Sequence, residues 1–443
     1  MNKKILNYSF KLPNGIYSLL EKLSVPIFGL LVFFMLIRSF EQETFGCWVI
    51  YVSLTALTES VLSAFTLTPF ILFNNSCQST QKGILFFTSL LLNTSFAIFI
   101  SVGLLVFGNE VSYLFNTPVL ATLLELYCLN LILIVPFIQL NALQYANSKF
   151  RDSFYSMFIR RFLFFLYVSI AFLSPKSINL EELVIAQIIA TLLSLCVSYM
   201  LSRRYLYISY KIDTSWIEKL FNYSKYTVGN NLTSIIAKNI DTWMIGGLIS
   251  ANSVAIYNPA IKISSLIEVP TGALSTYIYP KFIYYSANNQ LYALQKKIEL
   301  TIGFNLAIFL PVILIIYSFG ERIIILIAGE TYVESLTILY ITLLHTLFIP
   351  FERHLGVAFN ALGKANYNLW LSLSRAGVNI ILNYLFIVKF GLAGAAIATL
   401  ITYLSGTILS ILLIKKVVPL RLDNILFSAL EFFSSPLKTA KSV

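Results

Sequence analysis

The sequence predicts an all-α integral membrane protein of about twelve transmembrane helices, arranged as two six-helix bundles related by a parallel internal repeat. Three observations carry this reading. The 443 residues are 58% hydrophobic and only 12% charged, with a mean hydropathy of +0.80, whereas soluble domains carry about 25% charged residues. Apolar windows of about 20 residues, the length that crosses a bilayer, recur along the whole chain. The second half of the chain repeats the pattern of the first.

The windows fall at 15–37, 44–73, 84–107, 119–146, 154–174, 181–201, 220–249, 253–283, 299–319, 332–359, 367–388 and 391–415. Several are longer than a bilayer needs, which allows tilt or a kink. Pro69, Pro136, Pro270, Pro280, Pro311 and Pro350 lie inside or near the ends of spans and are candidate kinks. Residues 1–15 lack a small-residue cleavage site after their first apolar run, so no removable leader is expected. Cys47, Cys77, Cys128 and Cys196 are scattered without paired spacing and read as small apolar residues, not as disulfides or ligands.

Charge fixes the orientation. The net charge of +11 raises the question of nucleic acid, but the basic residues sit in short loops between spans and no nucleic-acid partner is expected. Nineteen Lys and Arg lie on the side of the termini and four (Arg38, Lys176, Arg322, Lys389) on the other. The positive-inside rule then predicts both termini in the cytoplasm. The expected partition is a first bundle over 1–210, a second over 211–416 and a cytoplasmic tail over 417–443.

The remaining eight cations fall within spans: Lys22, Arg160, Arg161, Lys225, Lys238, Lys262, Arg353 and Arg375. So do Glu59, Asp241, Glu268 and Glu352, with Glu125 near an end. A Lys or Arg at mid-bilayer costs about 2.5–3.5 kcal/mol on insertion scales, so such residues face a polar interior or reach for the headgroups. The stretch 221–264 concentrates them. It reads as two helices joined by a turn at Ala251, Asn252 and Ser253, which sets Asp241 and Lys262 at about the same depth.

The repeat is visible by direct alignment. A shift of 209 places Glu59 on Glu268 and Gly46 on Ala255. Shifts of 213 to 215 place Tyr127 on Tyr340, Pro136 on Pro350, Lys149 on Lys364 and Arg161 on Arg375. Six spans precede the repeat, and an even number preserves orientation. The halves are therefore related by an axis along the membrane normal, a transporter signature.

On these residues the chain resembles a known family. NIDTWMIGGLISANSVAIYNPAIKIS (239–264) resembles the seventh and eighth helices of the polysaccharide flippases of the multidrug/oligosaccharidyl-lipid/polysaccharide exporter superfamily. FNALGKANYNLWLSLSRAGVNIILNYLFIVKFGLAGAAIATLITYLSG (359–406) resembles their closing helices, with Gly391 and Gly394 before a run of small residues. The pattern is that of the twelve-helix O-antigen flippase group. The related lipid II flippases have fourteen helices, and two more do not fit after Lys416. The resemblance implies the MATE-like fold of two bundles around a central cavity that opens alternately to each side. It implies transport, not catalysis, in the bacterial cytoplasmic membrane. The implied cargo is an undecaprenyl-pyrophosphate-linked oligosaccharide, with membrane lipid and other polysaccharide-assembly membrane proteins as partners.

Several residues carry competing readings. Lys238, Lys262, Arg353 and Arg375, with Arg160 and Arg161 as first-half counterparts, are candidates for binding an anionic head group. The alternatives are an ion pair of Lys238 or Lys262 with Asp241, and snorkelling or capping by the arginines. Glu59, Asp241 and Glu268 are candidates for coupling to protons or sodium, a carboxylate in low dielectric being able to hold a proton near neutral pH. For Glu59 the alternative is a pair with Lys22. His345 and His354 are nine apart, which is not ligand spacing, and His345 reads as a hydrogen-bonded core residue. No P-loop, zinc motif, nucleophile elbow or dinucleotide fingerprint appears, and no cofactor or metal is expected. Two other functions fit the hydropathy: a small-molecule antiporter on the same fold, and a membrane polysaccharide polymerase. The excess of intramembrane cations argues against the cationic cargo of the first, and the short external loops against the second.

Overall fold

The computed structural model describes residues 12–174 and 178–434. Lys3, Lys4, Lys11, Lys176, Lys438 and Lys441, counted above for orientation, lie outside the described residues. The fold is all-helical, and the chain divides into two compact units, 1–236 and 237–443. The division falls inside one continuous helix rather than at the expected 210/211 boundary.

The first unit contains α1 (Leu12–Ser39), α2 (Gln42–Ser76), α3 (Lys82–Leu114), α4 (Val119–Ala146), α5 (Phe150–Leu173), α6 (Leu180–Ser202) and the first part of α7 (Thr214–Leu248). Helix α4 is its centre, packed against α2, α3 and α6. Lipid tails are as apolar as leucine, so burial alone does not hold such helices together; close packing and interhelical hydrogen bonds do. Helix α6 supplies Ser194, Ser198 and Ser202, spaced by four and all fully buried. Gln144 Nε2 on α4 donates to Ser198 Oγ (3.1 Å), Ser202 Oγ (3.0 Å) and Ser156 Oγ on α5 (3.2 Å).

The second unit contains the end of α7, then α8 (Ala251–Ile267), α9 (Val269–Ala287), α10 (Leu291–Ala328), α11 (Ser335–Thr346), α12 (Ile349–Ala361), α13 (Ala365–Lys415) and α14 (Leu422–Ser434). The expected span 253–283 breaks at Glu268, because Pro270 near the start of α9 has no N–H to continue the ladder. Pro350 at the start of α12 does the same for span 332–359. Pro69, Pro136, Pro280 and Pro311 lie inside continuous helices instead.

Nine helices among the described residues are long and apolar enough to cross a membrane by length and composition. Three further stretches occupy the remaining expected spans. Helix α13, at 51 residues, is too long for one crossing of a ~30 Å core and breaks at Gly391 (φ 59°, ψ −138°), a conformation essentially reserved for glycine. Helix α7 is long enough but polar, and α8 with α9 cover the expected span 253–283.

The repeat extends to the backbone. Ser148 closes α4 with φ 55°, and Gly363, 215 residues on, closes α12 with φ 71°. In both turns the next residue's N–H reaches back five residues: Lys149 to the Gln144 carbonyl (2.9 Å) and Lys364 to the Phe359 carbonyl (2.8 Å). Both are the same helix-ending motif.

Within 417–443, expected as a cytoplasmic tail, residues 422–434 form α14. Helix α14 packs on α10, where Glu299 accepts from the Arg421 backbone N–H (2.7 Å) and from Asn424 Nδ2 (2.9 Å). Ile425, Ser428 and Ala429 turn inward against Gly303.

Candidate functional site

In the first unit, Arg160 on α5 is held on every side. Its Nη2 and Nη1 donate to the two carboxylate oxygens of Glu59 on α2 (2.7 and 3.3 Å). Nε donates to Thr191 Oγ1 on α6 (3.2 Å), and the guanidinium lies 5.6 Å over the Phe137 ring. Tyr51 and Tyr127, which the sequence reading missed, wall the pair. Tyr51 donates to Gln187 Oε1 (3.2 Å), and the Tyr127 hydroxyl shares a hydrogen bond with Thr58 Oγ1 (2.6 Å). The partner of Glu59 is thus Arg160 and not Lys22, which is exposed. Arg161, the next residue, points elsewhere: it donates to Ser24 Oγ on α1 (2.9 Å).

In the second unit the turn between α7 and α8 lies at Ile249 and Ser250, with the Ser250 side chain capping α8 through the Ser253 N–H (3.1 Å). The expected turn was two residues later. Moving it brings Tyr257, not Lys262, to the depth of Asp241. Asp241 accepts from Tyr257 OH (3.0 Å), Thr399 Oγ1 (2.7 Å) and Asn383 Nδ2 (2.7 Å). Asn379 holds the far side of Asn383 (3.0 Å). Three neutral donors satisfy the carboxylate oxygens without a cationic partner. Among the described residues no ion pair joins Asp241 to Lys238 or Lys262, which corrects that expectation.

The other charges of this unit fall into several small groups. Arg375 forms an ion pair with Glu352, whose side chain is largely buried. This corrects the snorkelling alternative for Arg375. Glu268, the repeat mate of Glu59, has Lys238 and Arg353 as its neighbouring cations. Arg353 is exposed, its Nη2 lying near Gly272 one turn beyond Glu268. Lys262 and Lys238 repel each other from adjacent helices. Tyr403 feels Glu268, Arg375, Asp241 and Arg353 together. It also packs on the His345 ring, 4.9 Å between centroids. His345 is buried, but its Nδ1 has no hydrogen-bond partner among the described residues, contrary to expectation. His354 is the hydrogen-bonded histidine, with Asn305 Nδ2 at 2.7 Å from Nε2 and Ser275 Oγ at 3.5 Å from Nδ1.

Comparison with known proteins places this geometry. The profile described as polysaccharide biosynthesis protein matches residues 35–337, more than half of the chain. Among curated relatives, the "Probable low-salt glycan biosynthesis flippase Agl15" of Haloferax volcanii is 24% identical over 190 residues, 43% of this chain and 40% of that protein. The chain covers between 40% and 43% of the length of the curated relatives it matches. Among solved structures, the lipid II flippase MurJ in an inward closed conformation superposes with a TM-score of 0.77 at 15% identity, covering 94% of this chain and 90% of that one. An inward-facing MATE multidrug transporter superposes with a TM-score of 0.73 at 15% identity, covering 88% and 93%. The fold is therefore that of the MOP superfamily, and the protein is a multi-pass membrane protein.

Proposed function

The chain belongs to the polysaccharide biosynthesis protein family, and from that premise we propose that it is a flippase carrying an undecaprenyl-pyrophosphate-linked oligosaccharide from the cytoplasmic to the outer leaflet by alternating access. Both termini lie in the cytoplasm in this reading, and the membrane is the bacterial inner membrane. The similarity to a named glycan-biosynthesis flippase supports the class of cargo.

The observation that carries the reading is the balance of charge within the spans of the second unit. Lys238, Lys262, Arg353 and Arg375 stand against Asp241, Glu268 and Glu352, and two of these acids are already committed. The balance is positive in a part of the chain where each cation costs energy to insert. A diphosphate group compensates such an excess, with Lys238 and Arg353, the exposed members, meeting it first. A cationic drug does not, which disfavours the antiporter alternative.

Coupling falls to Asp241. Its cage of hydroxyl and amide groups offers oxygens to a proton or sodium ion as readily as donors to the carboxylate. Glu59 serves instead as the anchor of Arg160.

The test is to delete the gene and separate the lipid-linked oligosaccharides by leaflet. Accumulation of one species on the cytoplasmic leaflet, reversed by the wild-type gene, is expected. A pool unchanged in amount and leaflet overturns the reading.

A further inference from the structure

A groove in the first unit is lined by none of the residues of the charged groups described above. One wall is the end of α2 and the connection to α3. The other is the first three turns of α7. Its two adjoining lobes measure about 490 and 400 Å³, each within the range of small-molecule sites, about 300–1,000 Å³. Both walls flank loops assigned above to the cytoplasmic side.

The lining is unusual for this chain. In a sequence that is 58% hydrophobic, none of the described residues lining the groove is Leu, Ile, Val or Met. The α7 wall presents Ser215, Lys219, Asn222 and Tyr226 at intervals of three and four, so they share one helix face. Tyr223 stands beside them, with Phe73 behind it at 6.1 Å between ring centroids. The opposite wall contributes the amides of Gln78 and Gln81. Glu218 and Lys219 give the groove one charge of each sign, so it is not built for a bare anion.

The walls are fixed relative to each other. Trp216 and Leu220 are buried in a core with Phe70, Leu85 and Leu140. Ser224 Oγ donates to the Phe65 carbonyl (3.0 Å), and Thr227 Oγ1 to that of Ala64 (2.8 Å). Asp213 caps the start of α7 through the Ser215 N–H (2.9 Å). The groove is thus preformed, which lowers the ordering cost of binding.

The exposed Tyr226 and the half-buried Tyr223, beside side-chain amides and hydroxyls, suit one ligand class. A sugar ring offers an apolar C–H face to an aromatic and equatorial hydroxyls to amides, whereas an acyl chain or an apolar peptide would leave these amides unpaired. We infer that this groove binds the glycan portion of the cargo on the cytoplasmic side, stacking sugar rings on Tyr223 and Tyr226 and pairing their hydroxyls with Asn222, Gln78 and Gln81. The inference rests on the flippase reading for the identity of the glycan. It adds a site that reads sugar, separate from the cations that read phosphate.

The test uses the full-length protein in nanodiscs and the reducing oligosaccharides released by mild acid from the producing cells' own lipid-linked pool. Saturation-transfer NMR reports contact with sugar protons. Cys77, in the groove wall, reports location in a Cys196→Ser background through its alkylation rate. The expected result is saturation of sugar protons and at least several-fold slower alkylation, both lost in Asn222→Ala/Tyr226→Ala at unchanged thermal stability. Absent saturation, saturation that survives the double substitution, or saturation of lipid headgroup protons in place of sugar each overturns the proposal. Transport assayed on the same preparations separates the two readings. Sugar binding without translocation defeats the flippase reading alone, and translocation without sugar binding defeats the groove alone.

Discussion

Arg160 grips both carboxylate oxygens of Glu59 from a neighbouring helix, at 2.7 and 3.3 Å, while Arg375, the repeat mate of the adjacent Arg161, pairs with Glu352 on α12 and not with Glu268, the repeat mate of Glu59. The two units therefore place Arg–Glu pairs on different helices. The pair in the first unit is partly open, with side chains 24% and 32% exposed. Glu59→Ala should lower stability by about 1–2 kcal/mol, less than the ~3–5 kcal/mol of a fully buried pair. Glu59→Gln, which keeps one acceptor, should lose less. Thermal unfolding of purified variants checks this, and an Arg160→Ala/Glu59→Ala cycle isolates the pair. A coupling near zero would remove its structural role.

Asp241 should be essential for coupling and dispensable for insertion. Asp241→Asn is expected to lower transport by roughly 5–150-fold, the span of coupling free energies of about 1–3 kcal/mol. Wild-type protein should gain thermal stability from the coupling cation and Asp241→Asn should not. Full transport by the variant would move coupling elsewhere.

Lys238→Ala and Lys262→Ala should reduce surface polysaccharide while membrane abundance stays near wild type, with Lys→Arg partly tolerated. Because Asp241 is satisfied by Tyr257, Thr399 and Asn383, adding Asp241→Asn should not rescue Lys262→Ala. Restored export in the double variant would make the lysine and aspartate a structural pair after all.

Gly303 lets α14 approach α10. A methyl group there would stand 2.6 Å from the Ile425 carbonyl oxygen and 2.8 Å from Ser428 Cβ, so Gly303→Ala must push the helices apart at a cost of about 1–3 kcal/mol. Hydrogen exchange over 422–434 should accelerate selectively. Unchanged protection would mean that α14 is held by its Glu299 cap alone.

Reporter fusions at Lys416 and within 321–330 should report opposite compartments, with Lys416 cytoplasmic. A shared compartment would refute the orientation drawn from the basic residues.

The sequence by itself determined the class and the repeat. Hydropathy is a sum over about 20 residues, so it survives errors of a few positions. The 215-residue offset from Lys149 to Lys364 falls on two matching helix ends. The partners of the charges were decided only by tertiary structure. Each residue turns a helix by about 100°, so Arg160 meets α2 while adjacent Arg161 meets α1. A turn misplaced by two residues shifts the facing position by about four to five, which is why Tyr257 rather than Lys262 reaches Asp241. The residues that complete these sites, Tyr51, Tyr127, Asn383, Thr399 and Tyr403, are uncharged, and most are buried only because partners on other helices satisfy their polar groups. They leave no excess in composition or hydropathy, and only the packing of helices distant in sequence brings them to the charges they serve.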